Sequence, residues 1–173
     1  MKTRDILILL FVSIICNNRV QSTVWPHPEF RVDKPNDLIH TYLPQTPPWS
    51  HDATLVVTTI LLLVYRKKVN WRRLFVMLLV FYTLRAIFIT CTTLPTVDGK
   101  NECKHDIVGD CTDYFFSGHT SYNLIASYQI GSPVFPWWPL VSTFITAMSR
   151  YHYTIDVLMP WVLLGLMTAP ALR

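Results

Sequence analysis

The sequence predicts an all-α membrane protein, a bundle of six transmembrane helices. Three observations lead there. Hydrophobic residues make up 51% of the 173 residues and charged residues only 15%, where an ordinary soluble domain has about 25% charged. The apolar residues arrive in blocks rather than in an amphipathic rhythm. The basic residues fall between those blocks more on one side than on the other. The same composition argues against a disordered tail. It also argues against a nucleic-acid partner, for which the formal net charge of +4 would be gathered into a basic stripe. The length suits one folded unit.

The blocks are Ile6–Cys16, Ala53–Tyr65, Leu74–Leu94, Tyr114–Ile130, Val134–Met148 and Tyr153–Leu172. A spanning helix needs roughly 20 mainly apolar residues. The third and sixth blocks reach that length; the others need polar shoulders, and short spans fit a thin bilayer. The first block follows the basic Met1–Arg4 and precedes Val20-Gln21-Ser22. Residues 1–22 are therefore a short N-terminal anchor or a cleavable signal segment, and residues 23–173 form the membrane domain. Residues 23–52 hold Pro26, Pro28, Pro35, Pro44, Pro47 and Pro48. They are expected to be extended, with no helix longer than a turn or two.

Charge sets the orientation. With a cytoplasmic N-terminus, Lys2, Arg4, Arg66, Lys67, Lys68, Arg72, Arg73 and Arg173 lie inside, and Arg19, Arg31, Lys34, Lys100 and Lys104 lie outside. Five of the inner residues crowd the turn RKKVNWRR, and nearly every acid from Glu29 to Asp113 lies outside. That is the positive-inside distribution, with RKKVNWRR as a topology anchor. Cys103 and Cys111 share the second outer loop, where an oxidising lumen would let them pair. The set Cys103, His105 and Cys111 fits no common zinc spacing, so no metal and no other cofactor is expected.

Ionisable groups in spans are costly, by about 2.5–3.5 kcal/mol for a central Arg, Lys or Asp. His119 lies five residues into the fourth block, His152 and Asp156 flank the start of the sixth, and Arg150 precedes them. His152 and Asp156 are four apart, on one helical face. An aspartate there fixes one imidazole tautomer and leaves the other nitrogen as a nucleophile or base. In the six-span topology His119 and His152 both lie near the outer surface. One can attack while the other carries the proton, which is enough for phosphoryl transfer without a metal. His27, His40, His51 and His105 fall in loops and read as solvated.

CTDYFFSGHT (Cys111–Thr120) resembles the third signature of the sphingomyelin synthase family, and HYTIDV (His152–Val157) resembles the fourth. LRAIFITCTTLPTVDG (Leu84–Gly99) is similar to the second, and PNDLIHTYLP (Pro35–Pro44) is a loose version of the first. The family is the sphingolipid synthase branch of the type 2 phosphatidic acid phosphatase superfamily. The resemblance spans roughly residues 35–160 and implies a minimal catalytic core of that fold, with His119, His152 and Asp156 catalytic. It also implies a lumenal or exoplasmic active site and retention of the first block as a span. Golgi, endoplasmic reticulum and plasma membrane all remain open, and a homo-oligomer is compatible with the sequence.

The activity implied is transfer of a phosphoalcohol head group, of the phosphocholine type, from a phospholipid to ceramide through a phosphohistidine, releasing diacylglycerol. Arg150, Arg85 and backbone N–H groups near Ser117 and Gly118 are candidates to hold the phosphate. Arg85 suits a structural ion pair equally well. Asp113 and Tyr114 would suit a quaternary ammonium, whereas Arg150 would suit an anionic or inositol head group. Two related reactions stay open: transfer to diacylglycerol, and hydrolysis as in a lipid phosphate phosphatase or phospholipase C. The superfamily's phosphatases carry a Lys-x6-Arg-Pro signature that does not occur in these residues, which favours transfer.

Overall fold

The computed structural model describes residues 3–24, 36–91 and 115–169. The described residues are helical and contain no strand: α1 (Thr3–Val24), α2 (Leu38–Tyr42), α3 (Ser50–Val64), α4 (Trp71–Cys91), α5 (Gly118–Ile130), α6 (Trp137–Met148) and α7 (Thr154–Thr168). Each of the six apolar blocks lies largely within one helix, and the described part of the proline-rich loop holds only the five-residue α2 before α3 begins. Among the described residues one helix, the 21-residue α4, is long and apolar enough to cross a membrane. The apolar helices α3 and α7 have 15 residues each. At 1.5 Å per residue they reach about 22 Å, short of the roughly 30 Å hydrocarbon core of a typical bilayer.

Local chemistry sets the helix starts. Asn70 Oδ1 accepts the Arg73 N–H at 3.0 Å and opens α4. Ser117 Oγ accepts the Thr120 N–H at 3.2 Å and caps α5. At α7, Asp156 in the first turn reaches back to accept the Tyr153 N–H at 2.9 Å. Each bond satisfies an amide that the first helical turn leaves unpaired. Helix α5 ends at Gly131, whose φ of 73° is open to glycine without strain.

Helix α5 is the centre of the bundle, packed by α3, α4, α6 and α7, while α1 lies along α4 and α2 against α6. Its sequence suits that place. Thr120, Ser121, Asn123, Ala126 and Ser127 are small or compact and buried, so neighbouring backbones approach closely. Leu124 and Ile125 are fully enclosed, and Phe81 of α4 stacks on Phe116 at 5.7 Å between centroids. A polar chain crosses this core. The Trp138 indole N–H donates to Thr58 Oγ1 at 2.7 Å, and Thr58 donates to Asn123 Oδ1 at 2.6 Å. Asn123 Nδ2 donates to Thr54 Oγ1 at 2.8 Å, and Thr54 donates to the His51 carbonyl at 2.6 Å. Outside, Val56, Ile60 and Leu63 of α3, Ile87 of α4, Phe144 of α6 and Leu158, Val162 and Leu166 of α7 are exposed. The polar groups of this hydrogen-bonded chain are thus paired inside while apolar side chains face out.

The connection of α3 to α4 carries the basic run, with the Arg73 guanidinium 5.4 Å from the Tyr128 ring centroid. Antiparallel succession then brings the start of α3, the end of α4, the start of α5, the end of α6 and the start of α7 to the opposite end of the bundle.

Candidate active site

That opposite end gathers three histidines and two carboxylates. His119, in the first turn of α5, has its ring centroid 6.4 Å from that of His152, which lies just before α7. Asp156 sits one turn after His152, with Oδ2 3.6 Å from His152 Nδ1 and its side chain fully enclosed. The two expected partners are thus within ion-pair distance, although 3.6 Å is longer than a hydrogen bond and His152 precedes α7 rather than lying on it. The same Asp156 oxygen caps α7 through Tyr153, so one carboxylate both starts the helix and faces the histidine.

His119 has a partner of its own. Its Nε2 lies 2.9 Å from Asp52 Oδ1. A carboxylate only accepts, so Nε2 carries the hydrogen and Nδ1 is left for proton transfer. Asp52 occupies the first turn of α3, which is the favourable end for a negative charge. His51 adjoins it: its Nδ1 bonds the Pro48 carbonyl, its ring is 4.7 Å from that of His119, and Tyr151 stacks on it at 4.3 Å. The reading of His51 as a solvated loop residue is corrected, because it is buried within α3. Helix α3 starts three residues before the apolar block and carries Ser50, His51 and Asp52 into its first turn. His40 is likewise half-buried, in α2, with Nε2 bonded to the Ala147 carbonyl at 3.1 Å. The signal was present as paired prolines followed by Trp-Ser-His-Asp, a helix-start pattern on the same side as His119.

The candidate phosphate-holding groups separate. Ser117 is buried, its hydroxyl caps α5, and its N–H donates to the Asp156 carbonyl at 3.0 Å, so that amide is committed to the scaffold. Gly118 opens α5 directly before His119. Arg85 is buried in α4 and its Nε donates to the Phe116 carbonyl at 2.9 Å. That bond gives it a structural role, and its charge also acts on Asp156. Arg150 follows α6 with a φ of 62°, a left-handed conformation costly for a residue with a Cβ. Its Nη2 reaches the His40 carbonyl at 3.5 Å, and its buried Nε has no hydrogen-bond partner among the described residues. Asp113, Tyr114, Cys103, Cys111, His27 and His105 lie outside the described residues.

A third carboxylate anchors the platform. Asp37 accepts the Thr154 N–H at 2.6 Å, the Thr154 hydroxyl at 2.7 Å and the His40 N–H at 3.1 Å. Burial pushes its carboxyl up, but these bonds outweigh burial and hold it below the usual 3.8. It ties the loop before α2 to the start of α7.

No family model and no curated protein matches the chain, and no solved structure matches its fold.

Proposed function

We propose that the chain is a lipid head-group transferase, taking a phosphoalcohol from a phospholipid to ceramide and releasing diacylglycerol. One observation carries this reading: two histidine–carboxylate pairs, His152 with Asp156 and His119 with Asp52, face each other at one end of the bundle. The ring centroids are 6.4 Å apart, close enough for both imidazoles to address one phosphoryl group. The four signatures resembling those of sphingomyelin synthases support the same reading. In it α1 and α3 to α7 are six spans, the N-terminus is cytoplasmic and the site faces the lumen or the cell exterior. The outward aliphatic residues and the basic α3–α4 turn at the far end support that arrangement.

Asp156 holds His152 so that Nε2 attacks phosphorus. His119 enters this step as the imidazolium, with Nε2–H on Asp52, and the bond to the diacylglycerol oxygen breaks as Nδ1–H gives that oxygen its proton. A phosphohistidine results. His119 then takes the proton of the ceramide primary hydroxyl, whose oxygen attacks phosphorus and releases His152. Two easier displacements replace one hard one. The Arg150 guanidinium and the Gly118 and His119 amides at the start of α5 are the donors for charge developing on the phosphoryl oxygens. The same steps with diacylglycerol as acceptor exchange head groups between glycerolipids. Water as acceptor gives a phosphatase or phospholipase C, and the 65% exposure of the Asp52 side chain, which admits water beside His119, favours this as the second reading.

The test uses purified protein in mixed lipid–detergent micelles. It is given fluorescent ceramide with phosphatidylcholine, phosphatidylethanolamine or phosphatidylinositol, and separately phosphatidic acid. A new phosphosphingolipid, lost in His152→Ala with membrane insertion retained, is the expected result. Free phosphate or phosphoalcohol without a ceramide product would establish the hydrolase instead.

A further inference from the structure

Beyond the phosphoryl chemistry, we propose that His51, Asp52 and His119 form a binding site for a divalent transition-metal ion of the zinc type. One nitrogen from each histidine and one Asp52 oxygen lie within 4.8 Å of one another. Two of the separations are 2.9 Å, from His119 Nε2 to Asp52 Oδ1, and 3.4 Å, from His51 Nε2 to the same oxygen. Ligands bonded to one tetrahedral zinc at about 2.0–2.2 Å stand about 3.3–3.5 Å apart. Rotation of the exposed Asp52 side chain adjusts the two distances to its oxygen, and the two histidine nitrogens, within 4.8 Å of each other, close to the same spacing on binding.

His51 gives the second argument. Its Nδ1 must donate to the Pro48 carbonyl, which leaves Nε2 as the ring atom facing the Asp52 oxygen, 3.4 Å away. A cation placed between that nitrogen and the carboxylate would be held by both. A histidine bonded to a backbone carbonyl through one nitrogen and free to ligate through the other is the usual arrangement at metal sites. Stacking by Tyr151 fixes the ring plane. His119 enters by passing its hydrogen from Nε2 to Nδ1. Two imidazoles and one carboxylate favour zinc, nickel or copper over magnesium or calcium. Three protein ligands leave a fourth position for water. His152 and Asp156 stand outside the set.

The experiment is calorimetric titration of tag-free full-length protein in micelles with zinc chloride, with bound metal counted by mass spectrometry. One ion per chain is expected at this site. His51→Ala and Asp52→Asn should each weaken it at least as much as the roughly 10–100-fold that loss of an outer-shell partner costs. His152→Ala should bind normally while losing turnover, so the metal site and the transferase reading stand or fall separately. Asp52→Asn alters an exposed side chain and keeps the fold testable if His51→Ala fails to fold. Zinc binding unchanged by both variants, no binding at all, or displacement by about a hundredfold excess of magnesium would overturn the proposal.

Discussion

Asp37→Ala should destabilise the protein far more than a loop substitution ordinarily does. The carboxylate accepts three bonds, at 2.6, 2.7 and 3.1 Å, two from Thr154 and one from His40, and its side chain is 7% exposed. Hydrogen bonds to a charged group contribute about 1.5–3 kcal/mol each. They are not additive, and water will reach part of the vacated site, so the expected loss is about 2–4 kcal/mol. The assay is reversible unfolding in mixed micelles followed by tryptophan fluorescence. Thr154→Val, measured alone and in combination, isolates the hydroxyl bond as a coupling energy of about 1–2 kcal/mol. The pH dependence supplies a second sign. Because the folded carboxyl sits below its ordinary 3.8, the stabilisation is present above that value and fades as pH falls through the lower folded value. Wild type should lose this increment in acid, and Asp37→Ala should have none to lose. A cost below about 0.5 kcal/mol, or identical acid profiles, would refute the anchoring role.

Asp52→Asn should lower kcat about 10–100-fold with little change in KM, less than the 10²–10⁴-fold of losing a general acid outright. Its stability should stay near wild type, since the side chain is exposed; steady-state assays with unfolding curves check both. Arg150→Gly should raise stability by about 1 kcal/mol by relieving the left-handed backbone, while turnover falls with the guanidinium. Turnover unchanged or raised would show that the guanidinium does not serve the phosphate, and a loss of stability would show that Arg150 serves the fold.

The helices were legible because continuous apolar runs admit few other structures, and each block contributes one. The pair His152 and Asp156 was legible from its spacing of four, although His152 precedes α7 and meets Asp156 across the start of the helix. Asp52 was not, since it meets His119 across 67 residues through the packing of α3 on α5, and no local spacing encodes that. His51 was misplaced for a smaller reason: helix ends extend beyond the apolar run into polar residues. Arg85 could not be assigned from depth alone. Its bond to the Phe116 carbonyl depends on a backbone turn, with Phe116 at a φ of 109°, that no residue pattern announces.

Strain and charge concentrate at the same end for a physical reason. Phe116 and Arg150, both at positive φ, lie two residues before α5, which carries His119, and two residues before His152. Such conformations persist only where surroundings over-determine them. Here Arg85 holds the Phe116 carbonyl, Ser117 donates to the Asp156 carbonyl, and Asp37 clamps Thr154. The Asp156 side chain belongs to this bracing and to the histidine pair at once. A carboxylate used in this way couples the start of α7 to the orientation of His152, so the helix cannot fray without misaligning the ring. The buried chain from Trp138 through Thr58, Asn123 and Thr54 does the same for the start of α3 by ending on the His51 carbonyl. Polar pairing in the core of the bundle thus transmits rigidity to the end where the histidines and carboxylates gather.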